Sequence, residues 1–247
     1  MTSIVVALCF GMSIGCATPT QPSTTALRID AATDGVVVGR DVTMTAVLVS
    51  PTGLQHVQAQ WMSSDPAVAT IDASGVLRGR MFGSVTVTAV YNEYQASQDV
   101  AVVEDFAGSW RGFYTIEKCA RLTGGGSSYC RFVLLAALPF ELSVVQSGRR
   151  ISGSMRLYDS IGRLLLSGAI DGVSDSSATL HVTATVRSVA GSEQPEVTTI
   201  TDWSSVLSVD KTAMTGQFVK NLSFTNAFGP QTSREECSIR SAVRLDP

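Results

Sequence analysis

The chain has 247 residues, a net charge of −3, 45% hydrophobic residues and 16% charged residues. This apolar content excludes a disordered chain, and the length leaves room for two cores of ordinary domain size or one long barrel. No Lys/Arg cluster could neutralise a run of phosphates, which excludes nucleic acid as a partner.

The first sixteen residues, MTSIVVALCFGMSIGC, form an apolar stretch. It is too short to span a bilayer as a mature helix and the right length for the apolar region of an export signal. Gly15-Cys16, followed by the polar segment Ala17 to Thr25, resembles the end of a lipoprotein signal. That resemblance implies a signal over residues 1–16, an acylated Cys16 that makes the membrane a partner, and a linker over 17–25. A plain secretory leader with Cys16 as an ordinary residue is the alternative. Either way the expected location is outside the cytoplasm, in the cell envelope.

With Cys9 in the leader and Cys16 at its end, Cys119, Cys130 and Cys237 remain for the folded part, a usage that fits an oxidising compartment. Three thiols make at most one bridge. Cys119 and Cys130 flank the loop Thr123 to Ser128 with its Gly124-Gly125-Gly126 tip, so a hairpin would bring them together. Closing that loop would stabilise the fold by about 3 kcal/mol in the chain-entropy model. Cys237 is the alternative partner, stapling the last strand to the first. The spacing lacks a Cys-x-x-Cys element and neither histidine is near, so no zinc site is expected.

After the leader, alternating apolar and polar residues bounded by Gly, Asp, Asn and Ser recur throughout, and helical periodicity does not; the fold class is all-β. A domain boundary falls near Val103 to Asp105, giving units over residues 26–103 and 104–247. The first unit reads as about seven short strands. Val42 to Leu48 alternates, Val57 to Trp61 carries a large aromatic into the core, and Ser63-Ser64-Asp65-Pro66 turns the chain. Val68 to Ile71, Val76 to Gly79, Gly83 to Val90 and Ala96 to Val103 follow.

The run Trp61-x-Ser63-Ser64-Asp65-Pro66-x-Val68-Ala69-Thr70-Ile71-Asp72, then Gly75-Val76-Leu77-x-Gly79, then Gly83 to Ala89, resembles the bacterial Ig-like domain of group 2. The resemblance implies an immunoglobulin-like β-sandwich serving as a spacer or adhesion module in surface proteins, and no chemistry. Trp61 would fill the space between two sheets, Asp65, Pro66 and Gly75 would set turns, and Gly83 would open a strand at a cramped corner.

From Phe106 to Leu245, eight or nine candidate strands follow, among them Tyr129 to Ala136, Arg163 to Ile170 and Cys237 to Leu245. Short turns at Gln146 to Arg149 and at Asp171-Gly172 favour an antiparallel meander that closes into a barrel. Gly108-Ser109-Trp110 and the stretch Phe140 to Gly153 resemble the lipocalin-like (calycin) barrels. That resemblance implies a late arginine, Arg240 or Arg244, packed on Trp110. It also implies a cavity for a small apolar ligand.

No catalytic, cofactor-binding or metal-binding residue is expected. His56 and His181 lie in different units, and His181 alternates with threonines on a polar strand face. The aspartates are scattered over turns, and Gly124-Gly125-Gly126 lacks the Lys and helix of a phosphate loop. The expected function is a non-catalytic envelope protein whose Ig-like unit spaces a barrel that contacts a protein, a glycan or a small apolar ligand. A lipocalin-like carrier is the alternative, and an envelope hydrolase the remote one.

Overall fold

The computed structural model describes residues 24–123, 136–189, 197–226 and 229–245. Every regular element among them is a strand. In the first unit, β1 (Ala26–Ala31) pairs with β3 (Asp41–Ser50), and β3 also pairs with β4 (Gly53–Val57) and β7 (Val76–Gly79). β6 (Ala69–Ile71) completes this sheet on β7. The second sheet runs β2 (Val36–Val37), β9 (Tyr94–Val103), β8 (Gly83–Tyr91), β5 (Gln60–Ser63), with β2 parallel to β9.

Alternation along each strand turns Met44, Leu77, Val85, Val87 and Val102 into one buried cluster between the sheets. The stretch Val57 to Trp61, expected as one strand, is two. Val57 ends β4 on the β3 side, Gln60 begins β5 on the β8 side, and Gln58-Ala59 carries the chain from one sheet to the other. Trp61 packs on both clusters of the sandwich yet stays half-buried.

The turns follow side-chain chemistry. Asp65 Oδ1 accepts the Ala67 N–H at 2.9 Å and its carbonyl accepts those of Val68 and Ala69, while Pro66 supplies the preset φ between them. Asp72 Oδ1 accepts from the Ser74 and Val76 N–H groups. Gly75 completes that turn at φ +83°, where an added Cβ would sit 2.5 Å from the Met44 carbonyl.

The second unit is a closed barrel of eight antiparallel strands in chain order. They are β10 (Gly108–Thr123), β11 (Ala137–Ser147), β12 (Arg150–Tyr158), β13 (Leu164–Ser174), β14 (Thr179–Ser188), β15 (Val197–Leu207), β16 (Ala213–Asn226) and β17 (Gly229–Arg244). The turn expected at Gln146 to Arg149 is present, with Gly148 at φ +57°. The candidate strand Tyr129 to Ala136 and the Gly124-Gly125-Gly126 tip fall outside the described residues, except for Ala136.

The turn expected at Asp171-Gly172 is not there: both residues lie inside β13, and the chain reverses at Asp175 to Ala178. Gly172 marks close strand approach instead, since a Cβ on it would lie 2.0 Å from the His181 carbonyl oxygen. Gly168 is crowded in the same way by the Thr185 carbonyl, at 2.0 Å. Gly168→Ala is accordingly expected to cost about 1–3 kcal/mol through overpacking, read as a lowered urea midpoint. An unchanged midpoint would show that the wall yields at this point.

The wall has a definite polarity. Ser152, Ser154, Arg156, Thr183, Thr185, Arg187 and Thr199 face outward, whereas Leu142, Met155, Ile170, Val182 and Ile200 face inward. Phe113, Val145, Leu165, Val173, Val206 and Val243 are exposed on the same wall, and the apolar interior is unlike the polar interior of a membrane-spanning barrel.

Candidate functional site

The barrel interior is occupied by side chains. Trp110, Trp203, Phe140, Phe218, Met155, Leu157, Ile170 and Leu180 are all fully buried in one cluster. The aromatic rings form a chain: Tyr114 lies 6.2 Å from Phe140 and 5.5 Å from Phe218, and Phe218 lies 5.4 Å from Trp203. An enclosed apolar guest would have to displace these groups, because an eight-stranded barrel is just wide enough for its own side chains or one small ligand.

One end of the barrel is closed by the segment that joins the two units. Phe106 is fully buried, and its carbonyl accepts the Trp110 indole N–H at 2.9 Å. Arg244 lies 4.7 Å over the Trp110 ring and donates to the Asp105 carbonyl, so of the two arginines expected there Arg244 takes the position. Gln146 holds the same segment with its whole amide. Its oxygen accepts the Phe106 N–H at 2.8 Å and its nitrogen donates to the Glu104 and Gly148 carbonyls at 2.9 and 3.1 Å.

Ion pairs continue this contact. Lys211 Nζ lies 2.7 Å from the buried Glu104 carboxylate, and Arg40 pairs with Asp105 at 3.0 Å. Asp34 of the first unit accepts the Arg149 N–H at 3.1 Å and lies 3.8 Å from the Arg150 guanidinium. The two units therefore meet through a hydrogen-bonded joint and not through a bare tether.

Away from that end, the apolar face of β16 and β17 is interrupted by charge. Lys220 and Glu235 stand opposite each other in the register, 2.8 Å apart and almost completely buried. Lys220 also lies 5.5 Å from the Tyr114 ring centre. One step along, Thr198 pairs with Leu222 and Leu222 with Ser233, and both hydroxyls are buried without a hydrogen-bond partner among the described residues. Burial pushes the Tyr114 phenol up, against the opposing pull of Lys220. Burial also pushes the Cys237 thiol up to about 12, which keeps it an inert, protonated group.

A recess of about 420 Å³ opens on the outer wall across β10, β11 and β12. Glu141 is its hub. Oε1 accepts from Arg111 Nε and Nη2 at 2.9 and 2.5 Å, and Oε2 accepts the Tyr158 hydroxyl at 2.6 Å. Arg156 stands 3.8 Å away on the other side. The Tyr158 hydroxyl, outweighing partial burial, and then Arg111 hold the Glu141 carboxyl below the usual range.

The residues singled out in the sequence separate into those that shape the fold and those that lie elsewhere. Gly83 and Gly108 open β8 and β10 at φ +155° and +126°. His56 is exposed on β4. His181 sits on the outer face of β14, 3.0 Å from Asp175. Burial acts to raise the Asp175 carboxyl, but Ser177, Thr179 and His181 together pull it down to about 2. Cys16 and Cys130 lie outside the described residues, Cys119 is near the end of β10, and Cys237 is a free, buried thiol. No group of three metal-ligating side chains occurs among the described residues.

Lys220, Glu235, Gln146 and Glu141 were missed from the sequence. The available signal was a charge in an apolar slot: Phe218-x-Lys220-x-Leu222 and Glu235-x-Cys237-x-Ile239 each place an ion on the inward side.

Residues 23–103 match the family model of the bacterial Ig-like domain (group 2). No curated protein matches the chain. Among solved structures, domains 5-6 of the S-layer protein SbsC are similar at 15% identity and a TM-score of 0.27, over 86% of this chain and 98% of that one. A structural-genomics protein of unknown function from Bacteroides ovatus is similar at 8% identity and a TM-score of 0.21, over 90% and 99%. The protein thus carries a bacterial Ig-like domain (group 2), followed by a closed eight-stranded antiparallel barrel.

Proposed function

We propose that this chain is an exported, non-catalytic cell-envelope protein, anchored through an acylated Cys16, in which the Ig-like domain spaces a ligand-contacting barrel away from the membrane. The observation that carries the reading is the joint between the two units, where Gln146, Arg244 and Lys211 fix the connecting segment to the closed end of the barrel. A spacer joined in this way presents the barrel wall in a set orientation. The wall itself is hydroxyl- and arginine-rich, as suits a surface that stays in water. The filled interior favours contact through that wall over carriage of an enclosed guest.

In the same reading the single disulfide joins Cys119 to Cys130, supported by the free and buried state of Cys237. Such a bridge suits an oxidising compartment.

Fractionation of cells making the full chain tests the proposal. The protein is expected in the membrane fraction, with an intact mass reporting cleavage before Cys16, added acyl chains and the loss of two thiol hydrogens. Cys16→Ala is expected to move it to the soluble or unprocessed pool. An uncleaved, unacylated wild-type mass, or a Cys16→Ala protein that fractionates and matures like wild type, would overturn the anchor.

A further inference from the structure

We propose that the recess on the outer wall of β10 to β12 binds the oxyanion of a small hydroxylated molecule, an acidic sugar or sugar chain. The inference deepens the reading of the barrel as the ligand-contacting domain and rests on it.

The register builds the recess. Ser109 pairs with Ser143, and Ser143 with Ser154, so three small hydroxyl side chains lie side by side across the strands. In the adjacent outward row, Arg111 pairs with Glu141 and Glu141 with Arg156. The serine row forms a floor and the charged row a wall above it, with Leu245 at the side. The volume of about 420 Å³ falls in the range of small-ligand sites.

Charge and hydrogen bonding select the occupant. Two guanidinium groups face one carboxylate, and among the described residues Glu141 is the only acid lining the recess. Both of its oxygens are already taken, by Arg111 and by Tyr158. The wall therefore carries one surplus positive charge, and guanidinium donors exceed what Glu141 can accept. Guanidinium groups recognise carboxylate and phosphate through paired N–H donors. The serine hydroxyls can donate to the same anion or accept from sugar hydroxyls. Among the described residues, Leu245 and the edges of buried Trp110 and Leu142 are the only apolar lining, which argues against an apolar ligand.

Calorimetric titration of the full-length protein with trigalacturonic acid tests this, with maltotriose as the neutral control and inorganic phosphate as competitor. Saturable binding of trigalacturonate, displacement by phosphate and no binding of maltotriose are expected. Arg111→Ala with Arg156→Ala is expected to weaken binding at least tenfold, and Ser143→Leu, which fills the floor, to weaken it comparably. Glu141→Gln, which removes the one negative group, is expected to bind as tightly as wild type or more tightly. Equal binding of maltotriose, failure of phosphate to compete, an unchanged affinity in the paired arginine variant, or no saturable binding would overturn the proposal. Cell fractionation reports on the anchor without reference to this recess, so either idea can fail alone.

Discussion

Replacing Lys220 with methionine is expected to destabilise the barrel by about 3–5 kcal/mol, among the largest effects of any single change in this chain. The reason is the charge left behind. Glu235 is completely buried, and its Oε2 faces Lys220 Nζ at 2.8 Å in a pairing that is close but not aligned as a hydrogen bond. Without the ammonium, the carboxylate must be desolvated alone or take up a proton, and both routes cost stability. Breaking a buried pair is costly, whereas replacing the whole pair with apolar groups is often neutral. The paired variant Lys220→Met with Glu235→Leu is therefore expected to recover most of the loss.

The non-additivity is what identifies the cause, and urea unfolding of wild type, both single variants and the double variant measures it in one cycle. If Lys220→Met unfolds within about 1 kcal/mol of wild type, the ion pair is not a structural element.

The sandwich was legible in detail because its turns are written in residues with local mechanisms. Asp65, Pro66, Asp72 and Gly75 each act within a few positions of themselves. The barrel strands were legible wherever inward residues are apolar, as in Ile151, Met155 and Leu157 of β12. They were lost where the inward slots turn polar. β17 begins at Gly229, not Cys237, and its first inward residues are Gln231, Ser233 and Glu235, whose alternation carries no hydrophobic contrast.

Gly172 failed for the opposite reason. Glycine signals both turns and crowded strands, and only the position of the neighbouring carbonyl tells them apart. The recess could not be read at all. Ser109, Ser143 and Ser154 are far apart in sequence, and only the register sets them in a row. Trp110 with Arg244 was readable because the resemblance supplied the pairing; the role of Gln146 in holding Glu104 and Phe106 was not, since an interior glutamine looks like any strand residue.

That joint carries the second large effect. Trp110→Ala is expected to cost about 3–5 kcal/mol, the range for truncating a fully buried large aromatic. Arg244→Ala is expected to cost less, about 1.5–3 kcal/mol, since it removes one charge-assisted hydrogen bond and one ring contact. The two residues touch, so their costs should not add. The informative variant combines Arg244→Ala with Gln146→Ala, because together they remove the side-chain hydrogen bonds to Asp105, Phe106 and Glu104 while leaving the Trp110–Phe106 bond, the Lys211–Glu104 pair and most of both cores in place. If the joint couples the units, wild type should unfold in one calorimetric transition and this variant in two, the barrel melting first because its end has been opened. The Ig-like core, built from Met44, Leu77, Val87 and Val102, has no share in those bonds and should keep its own midpoint. Two transitions already present in wild type would mean that the connecting segment only tethers the units, and the spacer would then present the barrel without fixing its orientation; a single unshifted transition in the variant would mean that Arg244 and Gln146 do not carry the coupling.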